Sequence, residues 1–170
     1  MQKKRFKIAA AAILVVLLVV LMVGCGPISV PKPTMSANAT TVSVDGSSEI
    51  SVNGNTITVS GETDLLDGAL LHISVVSQDG MIVDYVTMTK NGDQVSHDFT
   101  ITSEKYDDTV KAVTGFISCA PTLYGKQPEA IYASYGNKFE NLEAADKGDI
   151  VWNKDGIVVL FASESVDLVK

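Results

Sequence analysis

From about Thr41 onward, apolar and polar residues alternate with a period of two, the pattern of half-buried strands. Ile50 and Val52 alternate with polar neighbours, Asn53-Gly54-Asn55 interrupts the run, and Ile57 and Val59 resume it. Asn-Gly between alternating runs is a hairpin signal. Leu70 to Val76 is more continuously apolar, which suits a central strand. Gln78-Asp79-Gly80 and Asn91-Gly92-Asp93 are turns flanking a strand over 81–89, and further strands are predicted over 95–102 and 110–120. Asn153-Lys154-Asp155-Gly156 is a hairpin turn between Ile150-Val151-Trp152 and a strand over 157–161. One stretch differs. Over 127–136, Pro128 falls at a first-turn position and Gly136 just past the end, which predicts a short helix. Many short strands, Gly-containing turns and one short helix predict an all-β chain, an antiparallel β-sandwich over 41–170, with a closed small barrel as the alternative.

The N-terminal pattern is of another kind. Lys3, Lys4, Arg5 and Lys7 precede an unbroken apolar run from Ile8 to Val23. A basic head and an apolar run are the plan of a bacterial export signal. The run has 16 residues, slightly short for a membrane-spanning helix, which needs about 20. Met22-Val23-Gly24-Cys25 resembles the lipobox of bacterial lipoproteins, with Gly24 before Cys25 as that family requires. The resemblance implies a signal peptide over 1–24 and acylation of Cys25, which becomes the first mature residue. The alternative is an uncleaved signal-anchor helix. Under either reading the basic head stays cytoplasmic and the rest is exported. Over 25–40, Pro27, Pro31 and Pro33 followed by small polar residues predict an extended tether.

The leader changes what the composition means. The chain of 170 residues has 13 Lys and Arg against 20 Asp and Glu, a formal net charge of −7. Without the leader's four basic residues, nine remain against the 20 acidic groups, a net of −11. Such a body is repelled by anionic lipid and by nucleic acid, so neither is an expected partner of its surface. With two His and two Cys, no zinc site is expected, and no cofactor. If Cys25 carries lipid, Cys119 has no disulfide partner. Its place in a strand suits a buried, inert thiol.

Gly61-Glu62-Thr63-Asp64-Leu65-Leu66-Asp67-Gly68-Ala69-Leu70-Leu71-His72-Ile73-Ser74-Val75 resembles a motif of immunoglobulin-like domains in bacterial cell-envelope lipoproteins. Gly61, Thr63, Leu65, Asp67, Gly68, Leu71, Ile73 and Val75 match it, whereas Asp64 and Leu66 stand where Asn and Pro are usual. Gln127-Pro128-Glu129, Tyr135-Gly136 and Glu140-Asn141-Leu142 resemble the second half of such domains. The resemblance covers about 42–168 and implies a fold, not an activity. Read physically, the motif is a strand-to-strand corner. Thr63 and Asp64 bond nearby backbone, Leu65 tucks beneath, and Asp67-Gly68 tolerates positive φ.

No catalytic constellation is expected. His97 and Asp98 are adjacent and therefore face opposite sides of a strand, His72 lies between Leu71 and Ile73, and neither follows a nucleophile elbow. The carboxylates at Asp64/Asp67, Asp107-Asp108, Asp146/Asp149 and Asp155 lack the dense spacing of a calcium loop and read as solvated turns. Tyr124, Tyr132, Tyr135, Phe139 and Trp152 fall close together in sequence. Tyr124, Tyr132, Tyr135 and Trp152 are candidates for an interaction surface, since such residues are favoured in recognition. The other reading is that they pack the short helix on a sheet. The expectation is a membrane-anchored extracytoplasmic interaction module, not an enzyme. The alternative is an inhibitor of extracytoplasmic proteases, with Tyr124 to Gln127 as its inserting loop.

Overall fold

The computed structural model describes residues 34–35, 40–144 and 149–168. The leader, Cys25 and the prolines of the tether lie outside them. Among the described residues no helix is long and apolar enough to cross a membrane.

Among the described residues ten strands and one helix follow in the order β1 (Val42–Val44), β2 (Glu49–Asn53), β3 (Thr56–Glu62), β4 (Leu70–Ser77), β5 (Ile82–Thr89), β6 (Gln94–Thr100), β7 (Ala112–Cys119), α1 (Glu129–Tyr135), β8 (Leu142–Ala144), β9 (Asp149–Asn153) and β10 (Gly156–Asp167). They form a β-sandwich. A five-stranded sheet has the order β5-β4-β7-β10-β9, and a three-stranded sheet has the order β2-β3-β6, both antiparallel. β1 and β8 add a short parallel pair.

The alternation sets the inner faces. Ile57 and Val59 of β3 and Leu71, Ile73 and Val75 of β4 are fully buried in one core, together with Ile117, Ile157, Val159 and Phe161. β4 lies between β5 and β7, as its continuous apolar run predicts, and almost every one of its residues is buried. The two sheets pack tightly at Gly115 of β7. A Cβ there would meet both Val59 methyls at 3.0 Å and Ile50 Cβ at 3.3 Å, so a larger residue would force the sheets apart.

Several boundaries differ from expectation. The β2–β3 turn is centred on Gly54-Asn55, because Asn53 still pairs with Thr56, and Gly54 supplies a φ of +57°. The turn at Asn91-Gly92-Asp93 is present as expected, and it carries the chain from β5 in one sheet to β6 in the other. β10 runs to Asp167, well beyond Phe161, because a bulge between Ala162 and Ser165 absorbs the break in alternation. Ser163 Oγ accepts the Gly115 N–H at 2.9 Å within that bulge.

The motif over 61–75 is the corner between β3 and β4. Leu65 is buried beneath it, Leu65 N–H donates to Thr63 Oγ1 at 3.3 Å, and Asp64 Oδ1 accepts Asp45 N–H at 2.7 Å. Asp67 Oδ1 receives Lys90 Nζ at 3.0 Å and Gly92 N–H at 2.9 Å. Lys90 is itself buried, with Asp93 Oδ1 at 3.8 Å as a second carboxylate. The Lys90 hydrogen bond is the first cause holding the Asp67 carboxyl below its ordinary range.

Candidate functional site

Period-two alternation puts His72 on the outward side of β4, since Leu71 and Ile73 are fully buried inward. Register then places Thr87 of β5 and Ser118 of β7 on either side of it. Thr87 Oγ1 is 3.5 Å from His72 Nδ1. Tyr85 of β5 lies two pairs further along, opposite Ser74, with its ring centroid 5.0 Å from the imidazole. On the other flank Tyr124 stacks on the imidazole at 4.0 Å with the rings 3° from parallel. Ser118 Oγ donates to Tyr124 Oη at 3.0 Å.

Tyr124 reaches that position because the connection from β7 to α1 is held at both ends. Gln127 is buried, and its Nε2 donates to the carbonyls of Leu70 at 2.9 Å and Ala120 at 2.8 Å. Its Oε1 accepts Leu70 N–H at 2.8 Å. Tyr132 Oη donates to Pro121 O at 2.6 Å and accepts Gln127 N–H at 3.2 Å. Between these anchors Gly125 N–H closes a turn on Thr122 O at 3.2 Å, with Leu123 and Tyr124 at its centre. Tyr124 turns inward and Leu123 outward.

The result is a surface with a buried polar floor and an apolar rim. His72 is 6% exposed, and burial alone lowers its pKa from 6.5 to about 4, so the ring is neutral near pH 7. Burial also raises the Tyr124 pKa. Beside them Tyr85 is 63% exposed and Leu123, next to Tyr124 in the loop, 48%, while Ile82, 51% exposed, lies further along β5 opposite Val76. Two devices guard the edge strand β5 against pairing with another strand: a register shift opposite Val75/Val76, and Asp84, which takes Lys105 Nζ at 2.8 Å on both oxygens.

The candidate aromatic residues separate. Tyr124 belongs to the surface just described. Tyr132 clamps the loop. Tyr135 is fully buried, edge-on to Phe139 at 5.3 Å, and its hydroxyl accepts Leu66 N–H at 2.6 Å. Burial pushes the Tyr135 pKa up to about 12. Trp152, 41% exposed, is on β9 at the opposite edge of the five-stranded sheet. Cys25 lies outside the described residues. His72, Tyr85, Ile82 and Leu123 were not among the sequence candidates, and they are 51 residues apart at the extremes, so no local pattern joins them. His72 and Tyr85 alone carried a signal, as outward positions of alternating strands.

The groups that suggest chemistry are otherwise engaged. His97 packs edge-on against Phe99 at 4.7 Å, whereas Asp98 faces away and accepts Thr58 Oγ1 at 2.6 Å. Cys119 is buried, and its burial raises the thiol pKa to about 12. Among the described residues no group of three or more His, Cys, Asp or Glu is placed to hold a metal. A cleft of about 300 Å³ beside the corner is lined by Asp45, Glu62, Asp64 and Asp93, and Asp64 there already accepts a backbone N–H. Comparison with family models, with curated proteins and with solved structures found no match to this chain.

Proposed function

We propose that this protein is a lipid-anchored extracytoplasmic recognition module, acylated at Cys25, whose immunoglobulin-like sandwich binds a partner protein and catalyses nothing. The observation that carries the recognition reading is the exposed Tyr85 ring beside His72 and the stacked Tyr124, with exposed Leu123 next to Tyr124 in the loop and exposed Ile82 further along β5. Large apolar side chains grouped on a rigid base mark interaction sites, whereas scattered ones do not. The guarded edge of β5 favours contact through side chains over strand addition. The anchor rests on the basic head, the apolar run and the Gly24-Cys25 pair.

The protease-inhibitor reading has one feature in its favour, the exposure of Leu123 on a clamped loop. Its geometry counts against it. A protease cleft takes an extended segment, and Leu123 sits in a closed turn with Tyr124 directed inward.

Photo-crosslinking tests the surface. A crosslinker at position 85 should trap a partner that one at position 58, on the other sheet, does not. Equal trapping from both positions would remove the assignment. The anchor is tested separately, because Cys25→Ala should abolish palmitate incorporation and leave the precursor unprocessed.

A further inference from the structure

The imidazole of His72 has ring neighbours on both flanks and one oxygen near Nδ1, that of Thr87 at 3.5 Å. A neutral imidazole needs one donor and one acceptor contact, whereas an imidazolium has two N–H groups to satisfy. The groups facing it from each neighbouring element are neutral. β5 contributes Thr87 and Tyr85, β7 contributes Ser118, and the loop contributes Tyr124. Asp84 of β5 is engaged with Lys105, and Cys119 belongs to the core on the other side of β7. No carboxylate contributes to the shift of His72, whose cause is burial.

A charged ring meets two tyrosine rings but no carboxylate in its present place, and their attraction does not offset its loss of water. Movement of His72 toward water removes the surface on which Tyr124 stacks. Gln127 and Tyr132 hold the base of the loop independently, so the part that responds is its tip, Thr122 to Gly125. We propose that protonation of His72 unseats Tyr124 and releases the loop tip, making the ring surface a structure that exists at neutral pH and is dismantled by acid. The device concerns the fold, and it stands whether or not this surface is the one a partner recognises.

The direction follows from the linkage. The folded-state pKa of about 4 lies below the ordinary 6.5, so docking is complete above about 6.5 and is lost as pH falls through about 4. The test is an NMR titration of the full-length protein in a neutral detergent from pH 7.5 to 3.5, following the His72 and Tyr124 ring resonances. Both should shift with one midpoint near 4, and His97→Gln should leave that transition in place. In His72→Phe, which keeps a flat ring beneath Tyr124 but cannot be protonated, the Tyr124 transition should vanish. A His72 midpoint near 6.5, or a Tyr124 ring that does not move with His72, overturns the proposal in the wild-type protein alone. Persistence of the Tyr124 transition in His72→Phe overturns it as well.

Discussion

Tyr135 Oη accepts the backbone N–H of Leu66 at 2.6 Å, across 69 residues of chain, and so ties α1 to the corner between β3 and β4. A seven-residue helix is unstable alone and persists only by packing. Ile131 and Tyr135, four residues apart, both face the core, and the tyrosine adds a hydrogen bond to the contact.

Tyr135→Ala should therefore cost about 3–5 kcal/mol. Tyr135→Phe, which keeps the ring and removes only the acceptor, should cost about 1 kcal/mol. Urea unfolding measures both. A loss below about 0.5 kcal/mol in Tyr135→Ala would mean that the ring is not a core element.

The two lysine–aspartate pairs should behave differently. Lys90 is buried against Asp67, while Lys105 is half exposed on Asp84. Lys90→Ala should destabilise by about 2 kcal/mol, since it removes a buried apolar stem and leaves a gap beneath the two turns it joins. Lys105→Ala should stay within about 1 kcal/mol. Equal losses in the two unfolding curves would contradict the burial contrast.

Gly115→Ala introduces a methyl group at 3.0 Å from both Val59 methyls, between sheets that are already in contact. Overpacking of this kind costs about 1–3 kcal/mol. The double variant Gly115→Ala/Val59→Ala should recover part of the loss if the clash is the cause. Simple additivity of the two losses would place the cause elsewhere.

Cys119 should be unreactive in the folded protein. Its thiol is buried and its pKa stands near 12, so almost no thiolate is present at pH 8. In a Cys25→Ala background, a thiol-reactive disulfide reagent should label Cys119 only as fast as the protein unfolds. Rapid labelling without denaturant would show that the β7 end opens locally.

His72 links stability to pH. Because its folded-state pKa lies below the ordinary value, wild-type protein should lose stability between pH 7 and 4.5 that His72→Phe keeps. The difference should be about 1–2 kcal/mol, smaller than the whole shift implies, because the ring keeps some access to water. Urea midpoints at the two pH values measure it. Parallel losses in both proteins would assign the acid sensitivity to carboxylates instead.

Local pattern made much of this architecture readable. Period two identified β2, β3, β5 and the β9–β10 hairpin, because one face of each strand meets the core and a two-residue period is enough to show which. Pro128 and Gly136 bounded the helix to within two residues, since both act on their own backbone. The corner at Thr63 to Gly68 was legible as a turn because Thr63 and Asp67-Gly68 act on their own backbone, but the partners of Asp64 and Asp67, which are Asp45, Lys90 and Gly92, come from distant segments.

Partnership between distant segments was not readable in this way. The chain's passage from β5 to the other sheet, the parallel pairing of Val42–Val44 with Leu142–Ala144, and the length of β10 all depend on partners far away in sequence. A three-residue strand has too few positions to display a period. The aromatic cluster near the C-terminal half likewise divided by depth and not by sequence, with Tyr135 taken into the core and Trp152 left at the far edge. Gln127 reads as a polar residue before a helix, and only the arrival of Leu70 and Ala120 beside it makes it the buried clamp that seats Tyr124 on His72. The amino-acid order by itself determined most of the strand, turn and helix positions and which face those strands hide, because those preferences act over a few bonds. Which strands pair, and which side chains meet on the outward face of β4, was decided by the packing of two sheets around one core, where a side chain's neighbours come from anywhere along the chain.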